Sequence, residues 1–162
     1  MIACCELAVK GAEKIVQKRG VSIIDRSDIE DTVVWTNGVF DILHKGHLEL
    51  LKFAKQQGDK LIVGINSDAS VKRLKGDDRP FNDAWAREQQ LLQLPWVDQV
   101  VVFEQDTPID ALKEYTPNVI VKGGDYTFDT VVGNDLAEVI IFPTVEGFST
   151  SNIVDKVNGN KN

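Results

Sequence analysis

Continuous apolar runs alternate along this chain with stretches whose apolar residues return every three to four positions. That alternation is the pattern of strands interleaved with amphipathic helices. Val33-Val34-Trp35-Thr36, Leu61-Ile62-Val63-Gly64-Ile65-Asn66, Val100-Val101-Val102-Phe103, Val119-Ile120-Val121 and Val139-Ile140-Ile141-Phe142 read as strands. Helices are predicted from Gly46 to Gln57 (closed by Gly58), from a Ser67 cap through Leu74, and from an Asn82 cap to about Leu94. Another begins at Thr107-Pro108-Ile109-Asp110, where a cap residue precedes proline at the first helical position, and stops before Pro117. A last helix is predicted from about Thr150 to Val157.

Strands buried on both faces and joined through helices argue an α/β fold. The expected architecture is a doubly wound, Rossmann-like parallel five-stranded sheet with helices on both faces, plus an N-terminal accessory helix. That accessory helix is Ala3 to Arg19, with Leu7, Ala8, Ala12, Ile15 and Val16 on one side and Gly20 as its stop. The polar run Asp25 to Asp31 places a boundary near residue 31, giving an extension (1–30), a main domain (31–157) and a tail (158–162).

Composition narrows the function classes. The 162 residues are 43% hydrophobic and 27% charged, as in soluble globular domains. A net charge of -7 argues against a nucleic-acid partner, and positive charge must be gathered locally if a polyanion binds. The cysteines, Cys4 and Cys5, are adjacent and poorly placed for a disulfide or a metal framework. No stretch approaches membrane-spanning length and no signal-peptide pattern opens the chain, so no membrane association and a cytoplasmic location are expected.

Both histidines fall within His44-Lys45-Gly46-His47, after a strand and an Asn37-Gly38 turn. A helix N-terminus there offers free N–H groups to a phosphate, and Gly46 allows close approach. Histidines so placed can donate to phosphate oxygens and stabilise the charge that builds during phosphoryl transfer. Zinc lacks a third ligand at conventional spacing. Lys72, Arg73, Lys75 and Arg79 gather the positive charge that an anion site needs, although Asp77 and Asp78 share their loop. Lys122-Gly123-Gly124-Asp125 leaves a strand through two glycines, and Ser149-Thr150-Ser151 opens the last helix with hydroxyls and N–H groups suited to phosphates. No Gly-x-Gly-x-x-Gly follows the first strand, which disfavours a redox dinucleotide domain.

The run Thr36-Asn37-Gly38-Val39-Phe40-Asp41-Ile42-Leu43-His44-Lys45-Gly46-His47 resembles the signature of the cytidylyltransferase-like nucleotidyltransferases. The resemblance continues through Asn66 to Pro80, Arg87, Asp106-Thr107-Pro108, Val121 to Tyr126 and Gly147 to Ile153. Within that superfamily it is most similar to the adenylyltransferase domains of bacterial ADP-heptose synthases. Ala8 to Val21 resembles the last helix of the sugar-kinase domain that precedes them, so residues 1–30 read either as a remnant of such a domain or as an unrelated N-terminal helix. Cytidylyltransferases for glycerol phosphate and choline phosphate usually carry Arg-Thr-Glu-Gly before the last motif. Thr144-Val145-Glu146-Gly147 here lacks the arginine, which tilts the reading from CTP toward ATP.

The resemblance implies transfer of AMP from ATP to D-glycero-β-D-manno-heptose 1-phosphate, giving ADP-heptose and pyrophosphate. The alternatives are a CTP-dependent enzyme acting on glycerol 3-phosphate or a similar phosphorylated alcohol or sugar, and a nucleotide-binding sensor without chemistry. It implies catalytic roles for His44, His47 and Lys75, and phosphate or substrate contacts from Lys72, Arg73, Lys75 and Arg79. Nucleotide contacts would come from Asn37, Gly38, Phe40, Asp41, His44, Gly46, His47, Lys122, Gly123, Asp125, Ser149, Thr150 and Ser151. Mg2+ carried by the nucleotide and a homodimer are also implied, with no metal site on the protein itself.

Overall fold

A computed structural model describes residues 30–143. The predicted helices at 3–19 and 150–157 and the Ser149-Thr150-Ser151 run lie outside the described residues. Five strands form one parallel sheet: β1 (Val33–Gly38), β2 (Lys60–Asn66), β3 (Gln99–Phe103), β4 (Val119–Gly123) and β5 (Glu138–Phe142), in the order β3-β2-β1-β4-β5. The helices are α1 (Lys45–Gln56), α2 (Asp68–Lys75), α3 (Ala84–Leu92) and α4 (Ile109–Tyr115), and a 3-10 turn at Phe128–Thr130 had no counterpart among the sequence expectations.

Alternate strand residues bury on opposite faces, because successive side chains of a strand point to opposite sides. Val34, Leu61, Val63, Ile65, Val119 and Val121 pack with Leu51 and Ala54 of α1 and Leu91 of α3. Trp35, Ile62 and Ile120 pack with Ala111 and Leu112 of α4 and with Val131. Helices therefore cover both faces, as the apolar runs predicted. A side chain at Gly64 of β2 would force its neighbours to shift: a Cβ there would lie 2.4 Å from the indole of Trp35, which is fully buried on the neighbouring strand.

Three helix starts differ from expectation; α1 begins at Lys45, one residue before the predicted Gly46, with His44 as its cap. Asp83, not Asn82, caps α3 and accepts from the Ala86 N–H at 2.7 Å. The Asn82 amide is committed elsewhere, donating to the Asp41 carbonyl at 2.6 Å. α4 begins one residue later than the Thr107-Pro108 pattern implies: Pro108 holds the cap position, with no side-chain cap bond. Ser67 caps α2 as expected, accepting from the Ser70 N–H at 3.2 Å.

The chain leaves β1 toward β2 and β3 on one side, then returns to build β4 and β5 on the other. Strand order thus reverses beside β1, and the carboxyl ends of β1 and β4 flank the crevice where such sheets bind ligands.

Candidate active site

The histidine pair sits immediately beyond β1. His44 is the N-cap of α1, with extended backbone (φ -134°, ψ 172°), and its Nδ1 accepts from the His47 N–H at 3.4 Å. A ring nitrogen that accepts carries no proton, so neutral His44 keeps its hydrogen on Nε2. The two imidazoles stack at 3.7 Å between centroids, 22° from parallel. Phe40 meets His47 edge-on at 5.1 Å. Burial, then the charges of His44 and Lys75, push His47 down to about 4, against the favourable pull of the Ile42 carbonyl. Burial also lowers His44. Nδ1 of His47 is buried and lacks a hydrogen-bond partner among the described residues. At neutral pH the pair is uncharged and closely packed, beneath an unneutralised helix N-terminus.

Local backbone explains how the rings are presented. Phe40 is 4% exposed and adopts φ 49°, a left-handed conformation unusual for a bulky residue. Its ring lies over Gly38, where a Cβ would come within 3.2 Å of it. Phe40 was expected among the nucleotide contacts; its ring is instead in the core, directly supporting His47. Asp41, from the same expectation, is 3% exposed and accepts from the Phe81 and Asn82 N–H groups at 2.8 Å each. Its carboxylate braces the loop after α2.

The basic cluster separates into distinct roles. Arg73 binds Asp106 Oδ1 at 2.9 Å and donates to the Glu104 carbonyl at 2.7 Å, tying α2 to the segment beyond β3. Arg79 is 3.6 Å from Asp41 and lies over the Phe81 ring at 4.4 Å. Both guanidiniums already have carboxylate partners, which weakens the expected phosphate role for each. Lys75, at the exposed end of α2, stands close enough to weigh on His47. Lys72 is exposed on the same last turn, with no ion pair among the described residues.

On the other side of the crevice, Lys122 is 5% exposed, and its Nζ donates to the Asn37 carbonyl at 3.2 Å. One hydrogen bond therefore joins the ends of β4 and β1. Asn37 accepts from the Trp35 indole N–H at 3.2 Å, which fixes its side chain. Burial pushes Lys122 down to about 8, and the nearby Asp125 carboxylate opposes that shift. Its ammonium lies 4.9 Å over the ring of Tyr126, a residue to which the sequence reading gave no role. The Gly123 carbonyl accepts from the Tyr126 N–H at 3.0 Å, and a Cβ on Gly123 would sit 2.9 Å from Asp125 Oδ1. Glycine is thus what lets Asp125 fold back beside the lysine.

The structure brings Asn37, Gly38, His44, Gly46, His47, Lys122, Gly123 and Asp125 around the carboxyl ends of β1 and β4 or onto the elements that leave them, and Lys75, at the end of the helix that follows β2, close enough to act on His47. Sequence reasoning gave no role to Arg87, which is fully buried in α3. A signal was present: Arg87 precedes Leu91 by one helical turn, placing a charge on the apolar stripe. Among the described residues no group of three or more His, Cys, Asp or Glu could hold a metal ion, and no helix is long and apolar enough to cross a membrane.

A family model, cytidylyltransferase-like, matches residues 35–158. The chain belongs to that family. Its relatives include the bifunctional protein HldE of a Nitratiruptor species, 56% identical over 77% of this chain and 27% of that protein. The bifunctional protein HldE of Campylobacter fetus subsp. fetus is 48% identical over 90% of this chain and 32% of its own length. The chain therefore spans about a quarter to a third of the length of these relatives. Among solved structures, a lipopolysaccharide core biosynthesis protein from Thermoplasma volcanium is similar with a TM-score of 0.59 and 28% identity, over 72% of this chain and 98% of that one. The pantoate-beta-alanine ligase of Francisella tularensis shares the fold, with a TM-score of 0.58 at 19% identity over 83% of this chain and 67% of that one.

Proposed function

We propose that this domain transfers AMP from ATP to D-glycero-β-D-manno-heptose 1-phosphate, releasing pyrophosphate and giving ADP-heptose. The observation that carries the reading is the stacked, uncharged His44–His47 pair at the α1 N-terminus, with Lys75 beside it. The similarity to bifunctional HldE proteins and the sequence motifs support the heptose branch of the family.

An oxygen of the sugar 1-phosphate attacks the α-phosphorus in line; the new P–O bond forms as the bond to the pyrophosphate oxygen breaks. A phosphate monoester is already largely ionised near neutral pH, so no general base is required. Catalysis then consists of aligning two anions and neutralising the charge between them. His44 donates from Nε2–H to the triphosphate, and His47 takes up a proton as negative charge approaches its ring. Lys75, and with it Lys72, draws the acceptor phosphate or the leaving pyrophosphate toward the histidines. Lys122 holds the nucleotide side of the crevice. Mg2+ carried by the nucleotide would supply further charge neutralisation, since His44, His47 and Lys75 offer imidazoles and an amine rather than a carboxylate cage. Residues 1–30 would be an accessory extension to this transferase unit, which runs to residue 157.

Pyrophosphate release measured with ATP and CTP, each paired with heptose 1-phosphate and with glycerol 3-phosphate, tests the assignment. Release is expected with ATP and heptose 1-phosphate. Preference for CTP or for glycerol 3-phosphate overturns it, and ATP binding without turnover on any acceptor points to a sensor.

A further inference from the structure

One buried cation takes no part in that chemistry. Arg87 has a fully buried side chain, and a guanidinium taken out of water is costly unless its donors are met. Its Nε donates to the Asn82 carbonyl at 3.0 Å, and Nη1 donates to the carbonyls of Val39 and Asn66 at 2.9 Å each. Nη2 binds the Asp68 carboxylate at 2.7 Å.

Each acceptor is a joint of the site. Val39 lies in the loop between β1 and the histidines, and Asn66 ends β2. Asp68 opens α2, the helix that ends at Lys75. Asn82 closes the loop after α2 and is bound to Asp41 through its side chain and its N–H. The sheet ladder pairs β1 with β2 without these bonds, so holding the strands together does not explain them. A planar fork with five donors can meet several carbonyls and a carboxylate at once, whereas a lysine has three donors on one point charge.

We propose that Arg87 is a positioning residue for nucleotidyl transfer, its guanidinium holding the histidine loop and the Lys75-bearing helix at one fixed separation. The proposal rests on the transferase reading above. A misplacement of about 1 Å in such a site costs roughly 100-fold in rate. The loss falls on the step that joins the two substrates, because each substrate is still captured by contacts local to its own side.

Arg87→Lys tests this, with Asp68→Asn as a second variant that keeps the buried cation and changes a side chain 41% exposed. Three readouts are compared with wild type: steady-state kinetics, ATP affinity by calorimetry, and the ring NMR signals of His44 and His47. The expected result is a kcat lowered about 100-fold in Arg87→Lys and about 10-fold in Asp68→Asn, with KM and ATP affinity within about threefold and moved histidine signals. If Arg87→Lys does not fold, Asp68→Asn carries the test. Loss of activity in step with the folded fraction, or wild-type kcat with unmoved histidine signals, overturns the proposal. If the wild-type protein turns over no nucleotide–acceptor pair, it is the transferase reading that fails. The histidine signals then decide the positioning claim separately: moved signals support it and unmoved signals overturn it.

Discussion

Burial keeps His47 uncharged at neutral pH, and this sets how it would answer a nucleotide. On the proposed mechanism, in which each donates to charge that grows in the transition state, replacing either His44 or His47 by alanine is expected to lower turnover by about 100-fold or more while leaving the circular dichroism spectrum unchanged. An approaching triphosphate favours the protonated ring, so ATP binding must take up protons. Calorimetry of ATP binding near pH 6 in buffers of different ionisation enthalpy should show net uptake; release would contradict the arrangement. Uptake should reappear near pH 8, where Lys122 is poised at about 8. Without ligand the sign is different in kind. His47 binds fewer protons folded, at about 4, than unfolded, at about 6.5. Stability therefore falls as pH drops from about 6.5 to about 4, by up to roughly 3 kcal/mol. Urea titrations of wild type and His47→Asn across that window should show a shallower pH slope in the variant. The histidines' place at a helix start beyond a strand was legible in the sequence, because the local pattern alone fixes it. The basic cluster was not: Arg73 and Arg79 differ from Lys75 only through Asp106 and Asp41, partners that folding brings from distant positions.

Elements show the same division. Apolar runs marked all five strands, and the reason is physical: a parallel sheet covered on both faces leaves no polar alternation to confuse the pattern. Helix starts were less legible, because a cap depends on what else its side chain can reach. Asn82 and Asp83 both suit the position, and Asp41 decides between them by drawing Asn82 away. Asp83→Ala should consequently cost about 1 kcal/mol in urea unfolding, the usual loss for a cap. Thr107→Ala should stay within about 0.5 kcal/mol, since α4 has no side-chain cap bond. Equal losses would mean that Thr107 caps α4 as Asp83 caps α3. Gly64→Ala should cost about 1–3 kcal/mol, because the new methyl meets the buried Trp35 ring in the middle of the sheet.

At the scale of the whole molecule, the proposed reading asks a chain of net charge -7 to hold a polyanion, which requires positive groups gathered at the carboxyl end of the sheet. Lys75 acts on His47 at the α1 N-terminus beyond β1, while Lys122 bridges from β4 to the Asn37 carbonyl. A nucleotide seated there touches elements from both halves of the winding and favours the folded state through each. At a concentration 100 times its Kd, a ligand adds about 2.7 kcal/mol of stability, or roughly 5–10 °C in Tm for a chain of this size. ATP should produce that shift, and Lys122→Met should reduce it by weakening the link across the reversal of strand order. Adding salt to about 0.5 M should shrink the ATP shift further, because exposed Lys72 and Lys75 are screened while buried Lys122 is shielded from the ions. A shift of equal size at low and high salt would show that the exposed lysines add nothing to capture, and that the buried groups hold the nucleotide alone.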